Sequence, residues 1–273
     1  MINLIKNLKR GFFGFFQNQT EKLVKIGSKI EFFKIGHSVK GQDINCYQIN
    51  NGQLKVLFVS AIHGNEVGTV KLGHQLINWL FENRKKYQKF TFNIIPCLNP
   101  DGYRLALKNP DYFGGGRIGR LNSHKVDLNR NFDTPTFQPQ ASWTHGKDYA
   151  KKTQVFAGPH AKSEPEIKAL TRFISTKKPI VVLSFHNAGN DIVGNRFELA
   201  QRLAKIFSKV SGYRFISVKE WTDFGQTGSS FEWCTINQIP ILEIEAGNRW
   251  RSDWPRHKKA IEVLLKEIEK SAL

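Results

Sequence analysis

Cysteine is scarce in this 273-residue chain: Cys46, Cys97 and Cys234 are its only three. Thiols so few and so scattered make no disulfide framework, and an odd number leaves at least one unpaired, so the fold must rest on its core in a reducing compartment. Long hydrophobic runs are missing too. Stretches such as VLFVSAI at 56–62 fall far short of the roughly 20 residues that cross a bilayer, so a soluble protein without a transmembrane segment is expected. Nor is an export signal legible. The first twenty residues, MINLIKNLKRGFFGFFQNQT, start basic and carry an aromatic cluster, but lack a sustained apolar stretch and a small-residue cleavage site. Residues 1–24 therefore read as a basic, Phe-rich N-terminal arm, 25–273 as a single domain, and the location as cytoplasmic. The arm could make a peripheral contact with an anionic membrane or pack on the domain. Packing is preferred, because surface anchoring usually takes a longer amphipathic segment.

Acidic residues are also in short supply, 23 against 41 Lys and Arg, for a formal charge of +18. That field favours anionic partners, nucleic acid first among them. The basic residues are nevertheless dispersed, in short pairs such as Lys85-Lys86, Lys151-Lys152 and Lys177-Lys178, and no nucleic-acid motif is present. A Lys-rich solvated surface is the preferred reading, with no specific nucleic-acid partner. An anionic peptide would suit the charge as well.

What the chain does have is enough apolar content, 40%, to bury the core of one α/β domain. The runs INCYQIN and KVLFVSAI flank Asn51-Gly52, a strong hairpin signal. After His63-Gly64-Asn65-Glu66, residues Val67, Val70, Leu76, Ile77 and Leu80 recur at helical spacing. FTFNIIPCL at 90–98 reads as a buried strand ending in a turn at Asn99-Pro100-Asp101-Gly102. Residues 103–160 show little periodicity and read as long loops, a length that is often functional. A helix should start at Ser163-Glu164-Pro165-Glu166 and run to about 175. PIVVLSF at 179–185 is a short buried strand. A helix near 195–210, a Gly/Ser-rich loop at 225–230, the strand IPILEIE and a terminal helix from about 254 complete an alternation of strands and helices.

Catalytic zinc takes three His or carboxylate ligands and keeps a position for water. His63 and Glu66, three apart at a strand-to-helix loop, can bring an imidazole and a carboxylate to one point. Alone, the pair is a weak signal that a capping or surface histidine would explain. His186 strengthens it, because it stands at the C-terminal end of another predicted strand, where α/β sheets gather ligand-binding groups. The other six histidines have no such setting. Arg130, in Asp127-Leu128-Asn129-Arg130-Asn131-Phe132, could hold a carboxylate in bidentate fashion, although a solvated basic loop would look the same. A general base should be a carboxylate, and Glu243 and Glu245 lie on one face of IPILEIE.

The ordered set HGNE, NPDG, DLNRNF, SEPE, SFH and IPILEIE, with IGHSVKGQ at 35–42 ahead of it, resembles the zinc metallocarboxypeptidases, and within them the bacterial murein peptide amidases more than the digestive enzymes. The resemblance implies a single α/β domain with a mixed, twisted β-sheet flanked by helices, and one zinc ion on His63, Glu66 and His186. It implies Asn129 and Arg130 as the grip on a terminal carboxylate. Arg120, in Arg120-Leu121-Asn122, takes the place of the oxyanion-stabilising arginine, with Arg117 as a weaker substitute. Alignment of the last strand makes Glu245 the catalytic base and puts Glu243 where a threonine is usual. Phe224 stands where the family's mobile loop carries a tyrosine, and Phe231, with Ser229, Ser230 and Glu232, is expected to line the specificity pocket.

The implied activity is zinc-dependent hydrolysis of an amide bond near a free carboxylate in small peptides, cell-wall peptides among them. An N-acyl amino acid deacylase of the aspartoacylase and succinylglutamate desuccinylase type shares HGNE and a DLNR segment, but NPDG, SEPE and IPILEIE favour the peptidase branch. A non-catalytic peptide-binding protein would not require the complete ligand and base set.

Overall fold

Apolar runs such as VLFV at 56–59 and VVL at 181–183 have no polar face to offer water, so they form strands only where helices cover both sides of a sheet. The computed structural model describes residues 30–109, 118–145 and 148–271, and the side chains among them outside 143–152. The N-terminal arm and Arg117 lie outside the described residues.

In chain order the elements are β1 (Glu31–His37), β2 (Asp43–Ile49), β3 (Leu54–Ser60), α1 (Val67–Glu82), β4 (Phe90–Ile95), α2 (Pro100–Lys108), β5 (Gln140–His145) and β6 (Asp148–Phe156). There follow α3 (Pro165–Lys177), β7 (Val181–Asn187), β8 (Asp191–Gly194), α4 (Glu198–Ser211), β9 (Arg214–Phe215), α5 (Val218–Asp223), α6 (Ser230–Ile236), β10 (Ile241–Ala246) and α7 (Trp254–Ser271). Eight strands form one sheet in the order β1-β2-β4-β3-β7-β10-β8-β9. Its centre, β4-β3-β7-β10, is parallel, while β1/β2, β2/β4 and β10/β8 are antiparallel. This is the mixed, single-domain α/β sheet expected. Among the described residues no helix is long and apolar enough to cross a membrane.

Strand alternation divides the core in two. Val56 and Phe58 of β3, Leu183 and Phe185 of β7, and Leu242 and Ile244 of β10 pack with α1, α4 and α7. Leu57, Val59, Val182 and Ile241 turn to the opposite face, against α3, α5 and α6. Along that second face β7 and β10 change character. Val182 gives way to Ser184 and His186, and Ile241 to Glu243 and Glu245, with Glu243 opposite Ser184 and Glu245 opposite His186. One face of one sheet is thus core at its start and polar at the C-terminal strand ends.

The expected hairpin at Asn51-Gly52 is not formed. β4 lies between β2 and β3, and the connection crosses the start of β4: Gly52 N donates to Phe90 O at 3.1 Å, and a Cβ on Gly52 would lie 2.1 Å from the Lys89 carbonyl carbon. Glycine is required for close approach here, not for a tight turn. The hairpin of this region is β1/β2, closed by Gly41 N to Ser38 O at 2.9 Å. The breakers Asn99-Pro100-Asp101-Gly102 likewise begin a helix instead of making a turn: Asn99 Oδ1 accepts from Gly102 N at 2.9 Å, and Pro100 occupies the first turn of α2. Residues 103–160, expected as loops, also contain the β5/β6 hairpin over a small cluster of Ala141, Val155 and Ala157.

Candidate active site

The loop that follows β3 carries His63, and Glu66 stands at the N-cap position of α1. Thr69 locks that loop, accepting from Ala61 N at 3.0 Å and donating to Glu66 O at 2.7 Å. Gly64 is required by contact with α2, since a Cβ would fall 2.2 Å from Tyr103 N. β7 supplies His186. His63 Nδ1 lies 3.0 Å from Glu66 Oε1 and His186 Nδ1 3.2 Å from Glu66 Oε2. Ligand atoms of the three residues all lie within 4.8 Å of one another, the one such His, Cys or acidic set among the described residues.

These three residues fit a metal ion. Glu66 Oε2 and His186 Nδ1 are buried without a hydrogen-bond partner although they face one another. Such atoms are costly to bury unless something satisfies them, and a cation would satisfy both. Two imidazoles and a carboxylate are a catalytic zinc's donor set. Each imidazole is backed at Nε2 by a further carboxylate: His63 by Asp127 Oδ1 at 3.2 Å, His186 by Glu243 Oε2 at 2.9 Å, with Ser184 Oγ also 3.0 Å from His186 Nε2. Partners of this kind fix ring orientation and aim Nδ1 at the metal position. Burial alone would raise Glu66, but His63 and His186 hold its carboxyl well below the usual range. Burial likewise opposes charge on His186, yet Glu66 and Glu243 raise it well above an ordinary imidazole.

Around this centre lies a cavity of about 250 Å³. Arg120 lines it, with Nε and Nη2 each 2.9 Å from Asp127 Oδ2. Burial would raise Asp127, but Arg120 and His63 hold it well below the normal range. Asn129 and Arg130 follow on the same short turn. Arg130 donates through Nε to Ser142 O at 3.0 Å and through Nη1 to Asn129 O at 2.6 Å. Burial lowers it to about 10 against the attraction of Asp127. Asn129 Oδ1 accepts from Ser230 N at 2.9 Å, and Ser230 Oγ donates to Glu243 Oε1 at 2.6 Å. Glu245 lines the cavity beside His186. Burial pushes it up to about 7, against the attraction of His186 and with Glu66 and Glu243 adding to the rise.

Phe224 lines the cavity next to Trp221, whereas Phe231 is not among the lining residues; it is buried, with its ring centroid 5.8 Å from that of Trp221. Asn187, Asp191, Trp221, Gln226 and Arg249 line it as well. Sequence reasoning missed all five, along with the role of Asp127 behind His63. For Asp127 a signal existed, an acidic residue two places before the Asn129-Arg130 pair. Arg249 lies in an aperiodic segment that offered none.

The pattern that defines the zinc carboxypeptidases matches residues 20–196. The chain belongs to the zinc carboxypeptidase family. Zinc is the family's cofactor, in agreement with the donor set just described. Over 226 residues the chain is 29% identical to the carboxypeptidase N catalytic chain of Mus musculus, spanning 66% of this chain and 47% of that one. Over 163 residues it is 29% identical to murein peptide amidase A of Vibrio campbellii (strain ATCC BAA-1116), spanning 56% and 55% respectively. The chain thus spans about half the length of these relatives. Among solved structures, the murein-tripeptide amidase from Escherichia coli O157 superposes with a TM-score of 0.64 at 21% identity, covering 87% of this chain and 91% of that one. Bovine thrombin-activatable fibrinolysis inhibitor, in complex with tick carboxypeptidase inhibitor, gives 0.71 at 16% identity, covering 96% and 97%. At such identities the likeness is one of fold.

Proposed function

We propose that this member of the family hydrolyses an amide bond next to a free carboxylate in small peptides, with cell-wall (murein) peptides as the substrate class. The observation that carries this reading is that His63, Glu66, His186, Glu245, Arg120, Asn129 and Arg130 all line one cavity. Zinc held by His63, Glu66 and His186 supplies Lewis acidity toward water and a carbonyl oxygen. The chain's own groups do the rest. With Arg130 Nε and one Nη1 hydrogen committed to backbone carbonyls and Asn129 Oδ1 committed to Ser230 N, the remaining Arg130 Nη hydrogens and Asn129 Nδ2 are the donors that bind the substrate carboxylate. Arg120, pinned by Asp127, presents a fixed positive charge to the attacked carbonyl oxygen as negative charge develops there. Glu245 takes a proton from the attacking water at a carboxylate oxygen and delivers it to the leaving nitrogen. Trp221 and Phe224 offer apolar surface, and Phe224 brings no hydroxyl to the substrate.

The test is a mass-spectrometric screen of zinc-loaded protein against small peptides that include γ-D-Glu linkages. Products should gain one water and release a residue with a free carboxylate, and Glu66→Ala should lose both zinc and turnover. Release of acyl groups from N-acyl amino acids with no peptide cleavage would replace this reading with that of a deacylase. Undiminished peptide binding by Glu66→Ala, with no hydrolysis by the parent protein, would leave only a binding role.

A further inference from the structure

Of the three guanidinium groups that line the cavity, Arg249 is the one with no part in the scheme above. Its segment, which follows β10, is clamped onto the metal centre. Arg249 O accepts from Gly68 N in the first turn of α1 at 2.6 Å and from Asn187 Nδ2, next to His186, at 3.2 Å. Asn248 Oδ1 accepts from Trp250 N at 3.0 Å and from Arg251 N at 3.2 Å. A Cβ on Gly68 would lie 2.2 Å from Arg251 O, so the loop sits as close to α1 as a backbone can. The Arg249 side chain therefore leaves from a point fixed relative to Glu66 and His186.

Nη1 of Arg249 is buried and has no hydrogen-bond partner, and no carboxylate oxygen among the described residues lies within ion-pair distance of the guanidinium. Arg120 is neutralised by Asp127 and Arg130 is held by two backbone carbonyls. A buried guanidinium nitrogen without a partner is unfavourable on its own, and an incoming anion that completes it gains a charge-assisted hydrogen bond.

Arg249 and Arg130 enter the cavity from different segments, Arg249 from a loop bonded to Gly68 and Asn187 beside Glu66 and His186, Arg130 from a turn, with its side chain bonded to Ser142 O. The charge of Arg249 interacts with Glu66, Arg120 and Glu245, whereas that of Arg130 interacts with Asp127, Arg120, Glu243 and Glu245. Arg120 and Glu245 are common to both, so the two cations flank one centre, Arg249 on the side of Glu66 and Arg130 on the side of Asp127 and Glu243. If Arg130 holds the carboxylate of the leaving residue and Arg120 faces the scissile carbonyl, Arg249 falls beyond that carbonyl.

We propose that Arg249 forms an anion subsite that selects substrates carrying a carboxylate on the acyl side of the scissile amide. This rests on the hydrolase reading for the orientation of the substrate. A γ-linked glutamyl residue has the required chemistry, since its α-carboxylate remains free beside the bond to be cleaved.

Two ligands test this: N-acetyl-γ-glutamyl-alanine, in both configurations at glutamate, and its twin in which the α-carboxylate is a carboxamide. Affinities are measured by calorimetry on zinc-loaded Glu245→Gln, so that the ligand survives, with and without Arg249→Gln and Arg249→Lys. Hydrolysis is scored separately on the parent protein. With Arg249 present, one configuration of the carboxylate ligand should bind about tenfold or more tighter than its twin, the scale of one charge-assisted bond. The ratio should fall toward one with Gln and be partly kept by Lys. A ratio near one with Arg249 intact overturns the proposal outright, whatever the variants do, and so does a ratio that survives Arg249→Gln. A residue that only balanced the charges of Glu66 and Glu245 would not move this ratio. Arg249-dependent selectivity without hydrolysis would keep the subsite and refute the hydrolase, while hydrolysis without selectivity would do the reverse.

Discussion

Replacing Asp127 with Asn should damage two things at once, and the structure indicates by how much. Oδ2 takes two donors from Arg120, each at 2.9 Å, and Oδ1 takes Asn129 N at 3.1 Å and lies 3.2 Å from His63 Nε2. All of this is buried. An asparagine must turn its NH2 toward one pair or the other. Toward Arg120 it opposes two donors with a donor; toward Asn129 N it does the same and also removes the anchor of His63. Either orientation leaves the Arg120 guanidinium buried beside a neutral partner. Breaking a buried ion pair from one side costs about 3–5 kcal/mol. For a domain of this size that is roughly 6–20 °C in Tm, read in chelator so that metal does not contribute. Loss of the carboxylate behind a histidine ligand should also weaken zinc by about 10–100-fold in a competition titration. Stability within about 1 kcal/mol of the parent, together with zinc affinity within about threefold, would refute the account of Asp127 as the shared support of His63 and Arg120.

The two glutamates of β10 should separate. Glu245→Gln is expected to lower kcat by about 10²–10⁴-fold with zinc content unchanged, whereas Glu243→Gln should weaken zinc by about 10–100-fold; equal effects on both readouts would contradict the assignment. Gly64→Ala would push a Cβ to within 2.2 Å of Tyr103 N, so the HGNE loop or α2 must shift. Overpacking of this kind costs about 1–3 kcal/mol, and zinc affinity should fall with it, whereas normal thermal unfolding and zinc titration would sink the idea. Acid should weaken the fold through His257. Burial pushes it from its ordinary value down to about 4, among Phe185, Phe207 and Tyr213. Its folded pKa lies below the unfolded one, so its contribution is complete above about pH 6.5 and is lost as pH falls toward 4. By pH 5 the loss is about 2 kcal/mol relative to pH 8. Urea unfolding of the parent and His257→Leu should differ in pH dependence by that amount, and identical slopes would rule this out.

Element types were largely legible in the sequence and their pairing was not. LKVLFVS announced a strand buried on both faces, but nothing local in INCYQINNGQLKVLF could reveal that β4, about forty residues further on, inserts beside it and turns Asn51-Gly52 from a hairpin turn into a crossing. Asn99-Pro100-Asp101-Gly102 carries breakers that serve a turn and a helix start equally well, and only the capping bond to Gly102 N decides between them. The metal-binding candidates were readable because their chemistry is rare and their strand-end positions are regular. Asp127 behind His63, and Arg249, depend on contacts between segments distant in sequence. Phe231 illustrates the limit within one segment: it directly follows the Gly/Ser-rich loop whose Gln226 lines the cavity, but it packs in the core against Trp221.

Glu243 and Glu245 show why position within the sheet, more than residue type, separates two chemically identical groups. Both point to the same face of β10, two residues apart. Glu243 is opposite Ser184, deeper along the strand, where Ser230 donates to one oxygen and His186 lies against the other. That carboxylate lines the cavity too, but one oxygen is taken by Ser230 Oγ and the other faces His186 Nε2 at 2.9 Å, which leaves it as a support for the imidazole. Glu245, one pleat further toward the strand end, makes no side-chain hydrogen bond among the described residues and lines the cavity with its carboxylate. The same burial that pushes it up to about 7 prepares it to receive a proton near neutral pH, while zinc on the adjoining ligands would draw it lower and favour release of that proton. Ser230 Oγ lies against both Glu243 and Asn129, so the support behind His186 and the proposed grip on a substrate carboxylate share one hydroxyl. A shift of the proposed carboxylate clamp would therefore be felt at His186 through a path of only three side chains, Asn129, Ser230 and Glu243.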